Sequence, residues 1–263
     1  MRFIKPLNMA TYKKRGYKPK TKAEKELELE DGSATAEVFK TLDKGASKTE
    51  AWVEKNQKVI FGLVSVVALC VLGYLLYQKF YQEPQQMEAS NEMFQAQSFF
   101  TEALNATTGQ DSLYNLALNG RAGKYGFVDI ADKYSGTDAG YQANYYAGMS
   151  YLSIKKYQEA INYLDKYKGG DEMTGPLAKG AIGDAFTQLN QPDEALKYYK
   201  EAASMRSNDV TTPRFLLKAG ITALALGKSD EALKYFTTIT EEYEDSAEAV
   251  KAKTYKGQAE SMQ

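Results

Sequence analysis

The 263-residue chain has no histidine and a single cysteine, Cys70. Without an imidazole there is no His-ligated zinc, no Ser–His or Cys–His nucleophile pair and no side chain shuttling protons near neutrality. One thiol excludes an intrachain disulfide, and the thiol-free remainder is compatible with an oxidising compartment. An excess of either charge is missing as well. The 33 Lys/Arg and 34 Asp/Glu residues give a formal net charge of −1, which argues against a nucleic-acid partner. "GRAGKYG" (120–126) is rich in glycine but lacks the GxxxxGK[ST] order that cradles phosphate, and it reads as a loop between helices. The carboxylates of "TEEYEDSAE" (240–248) have neither EF-hand spacing nor a loop glycine, and they read as a solvated helix end. The expectation is a chain with no catalytic residue, cofactor, metal site or small-molecule substrate: a binding protein rather than an enzyme.

What the chain does have is unevenly spread. Residues 1–58 carry 14 Lys/Arg against 9 Asp/Glu, and they precede "VIFGLVSVVALCVLGYLLY" (59–77), an uncharged, proline-free apolar run. As a helix this run spans about 28 Å, close to the hydrocarbon thickness of a bilayer. It has no polar face, follows a long tail and precedes no small-residue cleavage site, so it reads as an uncleaved transmembrane helix. Lys55 and Lys58 stand just before it, whereas after Lys79 no basic residue follows until Arg121. The positive-inside rule then places the N-terminus in the cytoplasm and the rest outside. Trp52, Tyr74, Tyr77 and Tyr81 fall near the expected interfaces. "SKTE" (47–50) reads as a capping box with Ser47 as N-cap and Glu50 answering it, and Pro84 marks the stop. The tail is expected to be largely disordered, near anionic headgroups or in contact with a ribosome or translocon. Translation could start at Met1 or at Met9.

The remainder repeats itself. "DEALKY" occurs at 193–198 and again at 230–235, with a weaker copy, "QEAINYLD", at 158–165. Ala160, Ala195 and Ala232 fall in phase, and Gly148, Gly183 and Gly220 stand twelve residues before them. Four residues after each alanine comes a large group: Leu164, Tyr199 and Phe236. A helical glycine costs about 1 kcal/mol relative to alanine, so three in register predict close helix approach. Pro192 is placed at a first helical position, Gly227 at a helix end, Ser229 as the next N-cap, and Thr212–Pro213 as a further start.

These residues resemble the tetratricopeptide repeat, a helix–turn–helix unit with small residues at its eighth and twentieth positions, counted here from Tyr141, Pro176 and Pro213. The first-helix aromatic is replaced by Ala223, and the usual terminal proline is missing. The resemblance implies an all-α fold: a single transmembrane helix followed by an α-solenoid of about three to four helix pairs. The expected layout is a cytoplasmic tail (1–47), a juxtamembrane and transmembrane helix (48–82), a helical region with a degenerate repeat (84–139), and repeats with a closing helix (140–263). In the degenerate unit "FVDIADKYSGT" supplies the second helix. The resemblance also implies a groove formed by the second, fifth, ninth and twelfth residues of each unit. Its expected protein-binding side chains are Tyr145, Met149, Leu152, Asp184, Leu217, Ile221 and Leu224. Tyr145 and Met149 stand where carboxylate-clamp members begin their clamp, so an apolar helix or segment is the expected ligand.

The tail, span and exported repeats, with "DKYSGTDAGYQANYYAGMSYLSIKKYQEAINYL" and "GPLAKGAIGDAFTQL", resemble YfgM-like ancillary subunits of the SecYEG translocon, in particular Bacteroidetes members. That resemblance implies a bacterial inner-membrane protein with a periplasmic C-terminal domain, partnered by SecYEG and a PpiD-like chaperone. The alternative expectation is a structural scaffold of another cell-envelope machine, for secretion, division or outer-membrane assembly.

Overall fold

A computed structural model describes residues 34–169 and 171–262, with side chains from Ala51 onward. The chain divides into two units after Gly73. Among the described residues the regular elements are all helical, apart from an isolated bridge between Arg121 and Lys124.

Helix α1 runs over Ala34–Tyr77. The helical run Ala51–Asn105 holds a window long and apolar enough to cross a membrane, and none of that window is buried by protein. Val59, Leu63 and Leu69 expose 69%, 65% and 67% of their surface. Apolar side chains bare on every face are what a bilayer solvates and water does not. The chain is therefore compatible with a single-pass membrane protein. Ser47 does not begin this helix, because helical backbone starts at Ala34 and carries through it. Residues 1–33, with most of the tail and the two candidate start methionines, lie outside the described residues.

Pro84 does not stop the helical path either. A π-helical turn, Gln78–Gln82, leads into α2 (Glu83–Asn105), and Pro84 stands in the first turn of α2. There its missing N–H is least costly. The Glu83 N–H reaches back five residues to the Gln78 carbonyl, so the wide turn absorbs the shift that the proline imposes. Helices α3 (Gln110–Asn119) and α4 (Phe127–Lys133) then pack on α2. The expected "FVDIADK" helix is α4. Its core is aromatic: Phe100 meets Tyr114, Phe127 and Tyr146 edge-on at 5.6, 6.2 and 5.2 Å, and Phe127 stacks on Tyr146 at 5.1 Å. The "GRAGKYG" loop closes tightly, and a Cβ on Gly126 would stand 2.2 Å from the Leu118 carbonyl oxygen.

Three helix pairs follow: α5 (Asp138–Ser153) with α6 (Tyr157–Leu164), α7 (Thr174–Gln188) with α8 (Pro192–Ser204), and α9 (Thr211–Ala225) with α10 (Ser229–Glu242). Helix α11 (Ala249–Ser261) closes the row. Each helix packs on the next, and the first helices α5, α7, α9 and α11 also touch in succession. This is the stacking of a solenoid.

The register explains the pairs. A Cβ on Gly148 would lie 2.4 Å from Leu164, one on Gly183 2.6 Å from the Tyr199 ring, and one on Gly220 2.4 Å from the Phe236 ring. Each glycine therefore receives the large residue sixteen positions later, and Ala160, Ala195 and Ala232 are fully buried beside them. The turns repeat as well. Lys156, Gln191 and Lys228 donate their N–H groups to Tyr151, Phe186 and Ala223, six-to-one bonds that close each first helix. The residue before each donor is left-handed: Lys155, Asn190 and Gly227, at φ 63°, 57° and 71°.

Helix starts correct two expectations. Pro192 does begin α8. Ser229 is the first residue of α10 rather than its N-cap, because closing α9 uses both Gly227 and Lys228. Helix α9 begins at Thr211, and its cap comes from further back: the Asn208 carboxamide oxygen accepts from the N–H groups of Val210 and Thr211. Asp171 does the same for Met173 and Thr174 at the start of α7, and Thr137 for Gly140 in α5.

Candidate protein-binding face

The residues expected to line a groove fall into three groups. Tyr145, Met149 and Leu152 on α5 are half-buried, with their inner sides against the cluster of Ala160, Leu164 and Ile182. The Tyr145 ring lies 5.6 Å from that of Tyr146 and 5.4 Å from that of Tyr167. Burial, and then the neighbouring Tyr146 and Asp171, pushes its hydroxyl pKa up, so it stays a neutral donor. Met149 also touches the aromatic cluster before it, so one flexible thioether joins two packing groups.

Asp184 on α7 is part-exposed but already engaged. Its carboxylate accepts from the Tyr199 hydroxyl at 2.7 Å and pairs with Lys218 on α9. The Lys218 ammonium lies 5.5 Å from the centre of the Tyr199 ring, and Thr187 shares the Tyr199 hydroxyl at 3.1 Å. Burial first, and then the Asp184 charge, raises the Tyr199 pKa far above its ordinary value. The phenol therefore keeps its proton and ties three helices together. A half-exposed ion pair contributes little by itself, so the network's role is to fix the spacing of α7, α8 and α9.

The last repeat departs furthest from the expectation. Leu217 and Leu224 are each only 8% exposed and belong to the core cluster that includes Ala249 and Ala252 of α11. The closing helix α11 packs on both α9 and α10 and shares this cluster. Ile221, one turn from both, stays 36% exposed. Gly180, a groove position by count, is buried: a Cβ there would lie 1.9 Å from the Phe215 ring, which fills the site from the next unit. The open apolar wall is thus Tyr145, Met149 and Leu152, with Ile221 separate on α9.

Tetratricopeptide repeat profiles match residues 142–169, 178–209 and 215–246. Three tetratricopeptide repeats stand in this chain. The matched stretches coincide with α5–α6, α7–α8 and α9–α10, and such repeats suggest an adaptor that binds other proteins. No curated protein matches the chain. The Asp184–Tyr199–Lys218 network escaped the sequence reading, although Asp184 and Lys218 lie 34 residues apart, close to one repeat. The Asx caps at Asp171 and Asn208 had a signal too, each standing three residues before a helix-opening threonine.

Proposed function

We propose that this is a membrane-anchored periplasmic adaptor that works by binding rather than catalysis, associated with the Sec translocon and assisting a chaperone or exported chains. The N-terminus lies in the cytoplasm, the apolar helix crosses the inner membrane, and the repeats stand on the periplasmic side. The observation that carries this reading is the α5 wall. Tyr145, Met149 and Leu152 keep apolar surface exposed while the glycine–large contacts beneath them are closed. An adaptable apolar wall on a rigid scaffold suits an amphipathic helix or an extended apolar segment. The lysine-flanked span and the likeness to YfgM-like ancillary subunits support the translocon as the place where this happens.

The test is a mild-detergent pull-down of the full-length protein against the variant Met149→Ala with Ile221→Ala. Truncating the half-buried Met149 and the exposed Ile221 is expected to weaken capture of translocon subunits and a PpiD-like chaperone at least tenfold, with an unchanged circular dichroism spectrum. Equal capture by both proteins contradicts the groove. Capture of a division or secretion scaffold instead of translocon subunits supports the second reading.

A further inference from the structure

The register of the first helices continues into α11. Ala143, Ala178 and Phe215 are the third residues of their units and are buried, and Ala252, 37 residues after Phe215, is buried in the same way. Gly257 follows Gly220 by the same 37 residues, and Tyr255 stacks on Phe236 of α10 at 5.7 Å. Helix α11 is thus in phase as the first helix of a fourth unit. Its glycine differs from the others in one respect. A Cβ on Gly148, Gly183 or Gly220 would meet the second helix of its own unit at 2.4–2.6 Å, whereas a Cβ on Gly257 would meet nothing within 4 Å. Val250, seven residues earlier on the same face, exposes 75% of its surface. The register that seats a second helix is present here, and among the described residues no helix is seated on it.

We propose that this face of α11 docks a helix of another protein, one that repeats the chemistry of the chain's own second helices. Those helices specify the occupant. Each buries an alanine (Ala160, Ala195, Ala232) and, four residues on, sets Leu164, Tyr199 or Phe236 over the glycine. Charge narrows it further. Lys253 stands two repeats after Lys179, whose ammonium lies 3.7 Å from the Glu201 carboxylate of α8, six residues past the alanine. Lys256 stands where the first and third units bury Ala147 and Ala219. Neither Lys253 nor Lys256 has an ion partner among the described residues. The helix that fits is therefore amphipathic and acidic: an alanine, a large apolar residue four positions later and a carboxylate two beyond that. A second copy of the chain does not supply it, because Ala160, Ala195 and Ala232 are already fully buried beside their own glycines. This face is separate from the α5 wall, and the proposal does not rest on that wall.

The test uses the full-length protein in detergent and a fluorescent peptide of residues 192–204, PDEALKYYKEAAS, stapled across positions 193 and 197 to hold it helical. Asp193 and Lys197 are exposed in α8, so the staple stays off the docking side. Fluorescence anisotropy is expected to show saturable binding that weakens at least tenfold with Gly257→Leu in the protein or Tyr199→Ala in the peptide. Because the space over Gly257 is open, Gly257→Leu is expected to leave the melting temperature unchanged or raised. Glu201→Lys in the peptide should weaken binding roughly threefold, and Lys253→Glu in the protein should restore it. No binding, or equal binding by Gly257→Leu, overturns the proposal, since the peptide then has no site or a different one. Absence of the charge exchange overturns the acidic chemistry assigned to the partner. A concentration-dependent dimer that Gly257→Leu dissolves gives the face to a second copy and overturns the proposal as well.

Discussion

Residues 83–134 and 138–261 are both runs of short helices, yet they hold together by different means. The later run uses one device three times: a helical glycine, a buried alanine twelve residues on, and a large side chain four further that fills the space over the glycine. The earlier run has no such register. Phe100, Tyr114 and Phe127, from three helices, form one aromatic cluster that Tyr146 of α5 joins from the later run. The repeat profiles match within the later run and not the earlier one. A register-built core is written in one fixed spacing and can be copied, whereas this cluster joins positions at unequal spacings and cannot.

The comparison can be broken first at the cluster. Phe100→Ala removes the ring on which the other three converge, and is expected to cost about 4 kcal/mol, read as a lowered melting temperature. No neighbouring substitution restores it, because no single partner owns that space. Gly183→Val drives branched carbon into the Tyr199 ring and is expected to cost about 3 kcal/mol. Here a partner does own the space. Combining it with Tyr199→Ala should cost clearly less than the sum of the single changes in a double-mutant cycle. Strict additivity would mean that the glycine and the ring are not coupled.

Smaller effects sharpen the repeat side. The closing turns place Lys155, Asn190 and Gly227 in the same left-handed conformation. A lysine is strained there and a glycine is not, so Lys155→Gly is expected to stabilise the domain by about 0.5–1 kcal/mol and Gly227→Ala to cost a similar amount. The smallest effect is in the caps. Burial works against the charged Asp171 carboxylate, but the N–H groups of Thr174 and Met173 and the Tyr167 hydroxyl outweigh it and hold its pKa down to about 2. A depressed folded pKa stabilises the fold above the unfolded value, and that stabilisation fades as the pH falls from about 4 through about 2. Asp171→Asn should flatten this part of an acid melting series, since Asn208 makes the same cap without a charge.

The two regions were also unequally legible. Glycine, alanine and large residue at fixed offsets located every helix pair from Asp138 onward, because each offset records a contact between neighbours in sequence. The same counting misplaced Leu217 and Leu224. Both belong to a core cluster shared by α8, α9, α10 and α11, and positions counted unit by unit do not include what neighbouring helices add to that cluster. Pro84 misled for a related reason: a stop is the local expectation, and the π turn that spares the helix is set by carbonyls upstream of it. Asp184 was found as a groove residue, but its engagement by Tyr199 and Lys218 needed three helices to be placed together.

The central claim is that the α5 wall is the surface that meets other proteins. A photo-crosslinking residue in place of Met149, in the full-length protein in intact membranes, tests it most directly, with the same residue in place of Lys197 on α8 as the comparison. The account predicts light-dependent adducts with translocon subunits, a PpiD-like chaperone or exported chains from position 149 and none from 197. Adducts from 197 alone, or from neither position while the partners still co-purify, would contradict it.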